Sequence, residues 1–151
     1  MVLLQPLLIG NNDHESGFYA MSAFATGKSF NASQQATFNL EAFTCATAIE
    51  AAARVAKGVS VWRYRYFGDF ANLELFPGSG TYHGTELDMI FGTAEDVSGL
   101  PHSNTAVENA TSAYFMKAWA AFASDPQNGL SNLGWPTYKN SNGIVTWNVW
   151  R

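Results

Sequence analysis

The sequence predicts an α/β fold in which a few parallel strands carry packed helices and the sheet is incomplete. Three observations point there. An aliphatic run over residues 2–9 ends at Gly10, an alanine-rich stretch follows Thr44, and a run dense in β-branched and aromatic residues covers 59–67. Strand, helical region and strand in that order make a βαβ unit, which implies a parallel pair joined by a crossover. A later stretch, 113–123, has Lys117 as its one charged residue. A helix that apolar is buried on several sides, and two strands cannot cover it.

Taken in order, residues 2–9 read as a short buried strand, with Pro6 placing its start after the proline. A polar loop follows, its Asn, Asp, Ser and Gly supplying turn chemistry. Residues 17–42 are poorly patterned and read as short helix plus loop. Thr44 then serves as an N-cap for "ATAIEAAARVAK", and Gly58 stands where a glycine cap ends a helix. The strand "VSVWRYRYF" puts Val59, Val61, Arg63 and Arg65 on one face and Trp62, Tyr64 and Tyr66 on the other. Residues 68–84 are loop-like. A helix over about 105–124 stops at Asp125-Pro126 because proline fixes its own φ and disfavours helix just before it. The tail adds a short hairpin or an edge strand, with 140–143 as its turn. No repeat or linker divides the 151 residues, so one domain is expected.

Composition narrows the function classes. The chain is 47% hydrophobic, 15% aromatic and 13% charged, against about a quarter charged in soluble domains generally. Its 12 acidic and 8 basic residues leave a net charge of −4 with no Lys/Arg run, so nucleic acid is not an expected partner. No apolar stretch approaches the roughly 20 residues of a membrane span, and the first ten residues have no signal-peptide pattern. The single Cys45 has no internal disulfide partner and reads as a small buried hydrophobe. Phe18, Tyr19, Phe24 and Phe70 read as core, with a pocket wall as the other reading. Asn31 and Asn109 stand in glycosylation sequons, which matter if the chain enters a secretory pathway.

Catalytic groups of a parallel α/β sheet gather where loops leave the carboxyl ends of strands. Glu15 follows the first strand and His83 lies in the loop after the second. If the two strands are neighbours, these side chains can meet, and a carboxylate bonded to one imidazole nitrogen steadies the ring as the other nitrogen takes a proton. A solvated glutamate and a structural histidine are the competing reading. No G-x-S-x-G nucleophile elbow and no glycine-rich oxyanion stretch occurs. His14, His83 and His102 lack metal-site spacing, no phosphate loop is present, and so neither metal nor cofactor is expected.

"PLLIGNNDHESGFY", "ELFPGSGTYHGTELDMIFG" and the "AYFMKAWAAFASDPQNGL" helix with "GWPTY" together resemble, in order and separation, the C-terminal part of a type-B carboxylesterase. This is the cholinesterase-like α/β-hydrolase family, and the secreted fungal esterases in particular. The resemblance covers essentially all of 1–151, as one C-terminal segment of a single carboxylesterase domain. It implies that G-x-N-x-x-E, here Gly10, Asn12 and Glu15, supplies the acid of a Ser–Glu–His triad. It implies likewise that H-G-x-E, here His83, Gly84 and Glu86, supplies the histidine, with Glu86 in a supporting place. It implies a carboxylic ester substrate, an extracellular location, and a serine elbow upstream of Met1 on the remainder of the esterase. Cys45 stands where many relatives place a half-cystine. Without the serine, these residues alone are expected to be inactive. A non-catalytic cholinesterase-like binding module and a truncated gene product are the other readings.

Overall fold

β-branched and aromatic side chains at alternate positions make the middle of the chain a strand that is covered on both faces. This strand, β2 (Val61–Tyr66), is central in a three-stranded sheet of order β1-β2-β3 and pairs in parallel with β1 (Leu7–Asn12) and β3 (Ile144–Trp147). The computed structural model describes residues 5–97, 103–139 and 144–147. Register runs from Leu7 opposite Val61 to Asn12 opposite Tyr66, so both strands end at the same level. Beyond Pro6, where the described strand begins, β1 runs three residues further than expected, through Gly10, Asn11 and Asn12. The polar end is part of the strand because pairing with β2 satisfies its backbone. The tail is an edge strand parallel to β2, and the hairpin turn expected at 140–143 lies outside the described residues.

The two faces of β2 separate as the alternation predicts. Trp62, Tyr64 and Tyr66 enter the larger core with Leu73, Met89, Phe115 and Leu130, while Val61 joins Val59, Ala51 and Tyr138 on the opposite face. Arg63 lies on that second face, nearly buried. Its guanidinium donates to the Thr44 carbonyl at 2.8 Å and to the Thr47 hydroxyl at 3.0 Å.

Between β1 and β2 the chain forms α1 (Ser16–Ala25), α2 (Ala32–Phe38), a π-helical turn (Asn39–Thr44) and α3 (Cys45–Val55). Asn31 caps α2, with a reciprocal bond from its own backbone to Gln34. The expected cap at Thr44 is absent. Thr44 is itself helical and makes no capping bond, because α2 continues through the π turn into α3 and there is no helix start to cap. Cys45 is exposed, in contrast to the buried position that residue statistics favour, and Ile49 one turn later is 69% exposed. Phe24 is 82% exposed and Phe18 lies on the surface beside His83, so neither is core, whereas Phe70 packs against the larger cluster.

After β2 the loop holds one 3-10 turn (Ala71–Leu73), then α4 (Glu86–Phe91), α5 (Ala94–Val97), α6 (Ala106–Ser124) and α7 (Gly129–Asn132) follow. Thr105 caps α6 in a capping box with Glu108. The helix buries one face only, through Thr111, Ser112, Phe115 and Ala118. Val107 and Met116 remain exposed on it, as the small sheet covers a single side.

Candidate active site

Because β1 and β2 end in register, the loops that follow them leave the same edge of the sheet. The Asp13 N–H extends the ladder to the Tyr66 carbonyl at 2.9 Å, and the His14 N–H reaches across to the Thr81 carbonyl at 3.1 Å. The loops also touch through Gly17. A side chain there would place its Cβ 2.1 Å from the Ser79 carbonyl oxygen, so only glycine permits the approach. Gly84, at φ +90°, turns the chain from His83 into α4.

Three consecutive ionisable residues diverge in this frame. Asp13 takes the Arg65 guanidinium at 2.7 Å, at the surface. His14 Nε2 meets Gln35 Oε1 at 2.9 Å. Glu15 turns inward, 3% exposed, and its Oε2 lies 2.7 Å from His83 Nδ1 while its Oε1 accepts the Asn12 N–H at 2.6 Å. An ionised carboxylate only accepts hydrogen bonds, so it selects the tautomer with the proton on Nδ1 and leaves the Nε2 lone pair free. The His83 side chain is 47% exposed. Phe43, Tyr19 and Phe18 surround the imidazole with centroids at 5.2, 5.5 and 6.4 Å.

Burial raises the Glu15 carboxyl above its ordinary range, opposed by the Asn12 N–H and by His83, and Glu86 nearby adds to the rise. The folded chain therefore holds this proton more tightly than the unfolded chain. The associated stability is present below the ordinary carboxylate pKa and is lost as pH rises through the folded value. Accordingly, the melting temperature of the unsubstituted chain minus that of Glu15→Gln should be greatest at acid pH. It should fall as pH rises and then level off. Thermal unfolding of both proteins across pH checks this, and Asp88, also raised by burial, cancels in the difference.

Glu86 opens α4 and does not touch His83 directly. Its Oε2 accepts from the Asn12 side-chain amide at 2.5 Å. Two groups of residues escape sequence reasoning. Asn12 stands in the motif without a role of its own. The second group is a brace from α2 and the π turn: Asn39 Oδ1 accepts the Ser16 N–H at 2.7 Å, and Gln35 Oε1 accepts the Ser16 hydroxyl at 3.3 Å. Gln35 and Asn39 are four residues apart and share a helix face, which is the signal that could have found them. π turns in helices occur often at functional sites, and this one brings Phe43 to the imidazole. Among the described residues no cluster of three or more His, Cys, Asp or Glu is placed to hold a metal ion, and His102 lies outside them.

No family model matches the chain. Among curated proteins it is 32% identical over 137 residues to Secreted lipase 5 of Gibberella zeae, covering 87% of the chain and 25% of that protein. It is 33% identical over 89 residues to Chlorogenic acid esterase of Aspergillus niger, covering 59% of the chain and 17% of that protein. The chain thus spans a quarter or less of the length of these relatives. Among solved structures, a thermophilic PNB esterase superposes with a TM-score of 0.71 at 20% identity, over 93% of this chain and 34% of that one. A further PNB esterase gives 0.67 at the same identity and the same coverage. The chain has the α/β-hydrolase fold of these esterases over about a third of their length, and in sequence it resembles a part of the two fungal relatives, as the C-terminal part of a type-B carboxylesterase would.

Proposed function

We propose that these residues supply the acid and the base of a serine carboxylic-ester hydrolase, with Glu15 and His83 as two members of a Ser–Glu–His triad. The observation that carries this reading is the 2.7 Å bond from His83 Nδ1 to a buried Glu15, formed between residues 68 positions apart at adjacent strand ends. A solvated glutamate and an incidental loop histidine would not account for a buried carboxylate that also accepts a backbone N–H.

In the reaction, His83 Nε2 removes the proton of a serine hydroxyl as its oxygen attacks the ester carbonyl, then returns that proton to the leaving alcohol. Water follows the same course to release the acid. Glu15 holds the ring and stabilises the imidazolium formed in each half. The serine and the oxyanion donors would come from a segment outside these 151 residues, which contain no G-x-S-x-G. In this reading residues 1–151 are the C-terminal segment of one carboxylesterase domain, and the remainder of that domain covers exposed side chains such as Phe24, Ile49 and Phe91. The name of the Gibberella zeae relative supports an extracellular location.

The test is hydrolysis of a p-nitrophenyl ester. The 151 residues alone should give no turnover above buffer, and the esterase that carries them should turn over. Turnover by the 151 residues alone that His83→Ala abolishes would show that they hold their own nucleophile.

A further inference from the structure

We propose that Asn12 is a positioning residue for the triad: its side-chain amide ties the His83 loop to the Glu15 loop, and Glu86 is the acceptor that holds the amide in place. The proposal rests on reading Glu15 and His83 as triad members.

Asn12 is the last residue of β1 and is 1% exposed. Its backbone N–H donates to Glu15 Oε1 at 2.6 Å. Its side-chain nitrogen donates to the Tyr82 carbonyl at 2.7 Å and to Glu86 Oε2 at 2.5 Å. A primary amide has two N–H donors, so two acceptors on the nitrogen use both and fix which way the group faces. Tyr82 directly precedes His83 and Glu86 follows it by three positions. One residue thus grips the acid on one side and brackets the histidine on the other. The sheet ladder joins β1 to β2 and does not hold the His83 loop. The nearest backbone tie between the loops, His14 to Thr81, falls two residues before the imidazole. The bond to Glu86 is charge-assisted when that carboxylate is ionised, and such bonds are shorter and stronger than neutral ones.

Removing the amide leaves both triad side chains present but frees the loop that carries His83. Misplacing a reacting group by about 1 Å can cost about a hundredfold in rate. In the esterase that carries these residues, Asn12→Ala should lower kcat for a p-nitrophenyl ester by about ten- to a hundredfold with KM little changed. The His83 Nδ1 proton resonance, which needs no nucleophile to be observed, should shift or broaden.

Asn12→Asp keeps the shape and reverses the chemistry. When protonated, the introduced carboxyl gives one bond to Glu86. When ionised, it faces a carboxylate and a carbonyl, and two adjacent carboxylates resist joint ionisation. The kcat/KM of this variant relative to the unsubstituted enzyme should therefore fall as pH rises, a trend that simple loss of packing does not produce. Adding Glu86→Gln moves the donor to position 86 and re-forms the tie in reverse, so the double variant should recover several-fold over Asn12→Asp at alkaline pH.

An Asn12→Ala enzyme with unchanged kcat and an unchanged His83 resonance would overturn the proposal. So would an Asn12→Asp loss that is independent of pH and unrecovered by Glu86→Gln, and this isosteric pair decides the matter if Asn12→Ala does not fold. If His83→Ala leaves turnover intact, the triad reading fails, and the His83 resonance still tells whether Asn12 positions the ring.

Discussion

Replacing His83 with alanine in the proposed esterase that carries these residues is expected to lower kcat for a p-nitrophenyl ester by about four to six orders of magnitude, with KM little changed. The loss is that large because, in the proposed reaction, one side chain performs two proton transfers in each half. Its Nδ1 is held by a buried carboxylate at 2.7 Å and its ring is flanked by Phe43 and Tyr19. Water entering the gap is not held in that geometry and does not replace it. Steady-state kinetics checks the result, and a cooperative unfolding transition of the variant above the assay temperature would separate lost chemistry from lost structure. His83 is half-exposed and outside both core clusters, so little packing is lost, and the fall in melting temperature should reflect the hydrogen bond that the buried Glu15 carboxylate gives up.

Phe115→Ala is expected to have the largest effect on stability. Phe115 is fully buried on α6, stacks on Trp119 at 5.3 Å, and sets its ring against Tyr66 at 5.4 Å and Tyr64 at 6.4 Å. Truncating such a residue costs about 3–5 kcal/mol, the transfer of the lost ring plus the cavity it leaves. In a chain of this size that corresponds to a fall in melting temperature on the order of 10 °C. The loss would reach the site, because Tyr64 and Tyr66 belong to the strand end from which the His83 loop departs. Met116→Ala, one residue along the same helix but 42% exposed with its sulfur against Gly92, should cost the 151 residues far less, about 1 kcal/mol or below. Thermal unfolding of the two variants side by side checks both numbers.

Much of the frame was legible where one residue pattern had one physical solution. The alternation in β2 separates an aromatic face from a Val/Arg face, and each enters its own core. Thr105 and Asp125-Pro126 bracket α6 because caps and proline act locally. The approach of Glu15 to His83 follows from parallel neighbours that end in register, a consequence of topology rather than of sequence distance.

What escaped depended on context beyond the local pattern. Thr44 has the chemistry of a cap, yet α2 runs through it, and the π turn that makes this possible has no residue signature. Cys45 and Phe24 are apolar residues on faces that the described sheet does not reach, so residue statistics place them inside while the structure leaves them exposed. Asn12, in a stretch crowded with polar turn formers, gives no sign from sequence that its amide spans to Tyr82 and Glu86, because those partners arrive from some 70 positions away.

The central claim is that Glu15 acts through His83. It is tested most directly by kcat/KM for a p-nitrophenyl ester in four proteins: the esterase carrying these residues, Glu15→Ala, His83→Ala and the double variant. Groups that act as a unit are strongly non-additive. The account predicts that the double variant is no slower than His83→Ala alone. Losses that multiply, with the double variant slower than His83→Ala by the full Glu15→Ala factor, would show that the two side chains act independently and would contradict it.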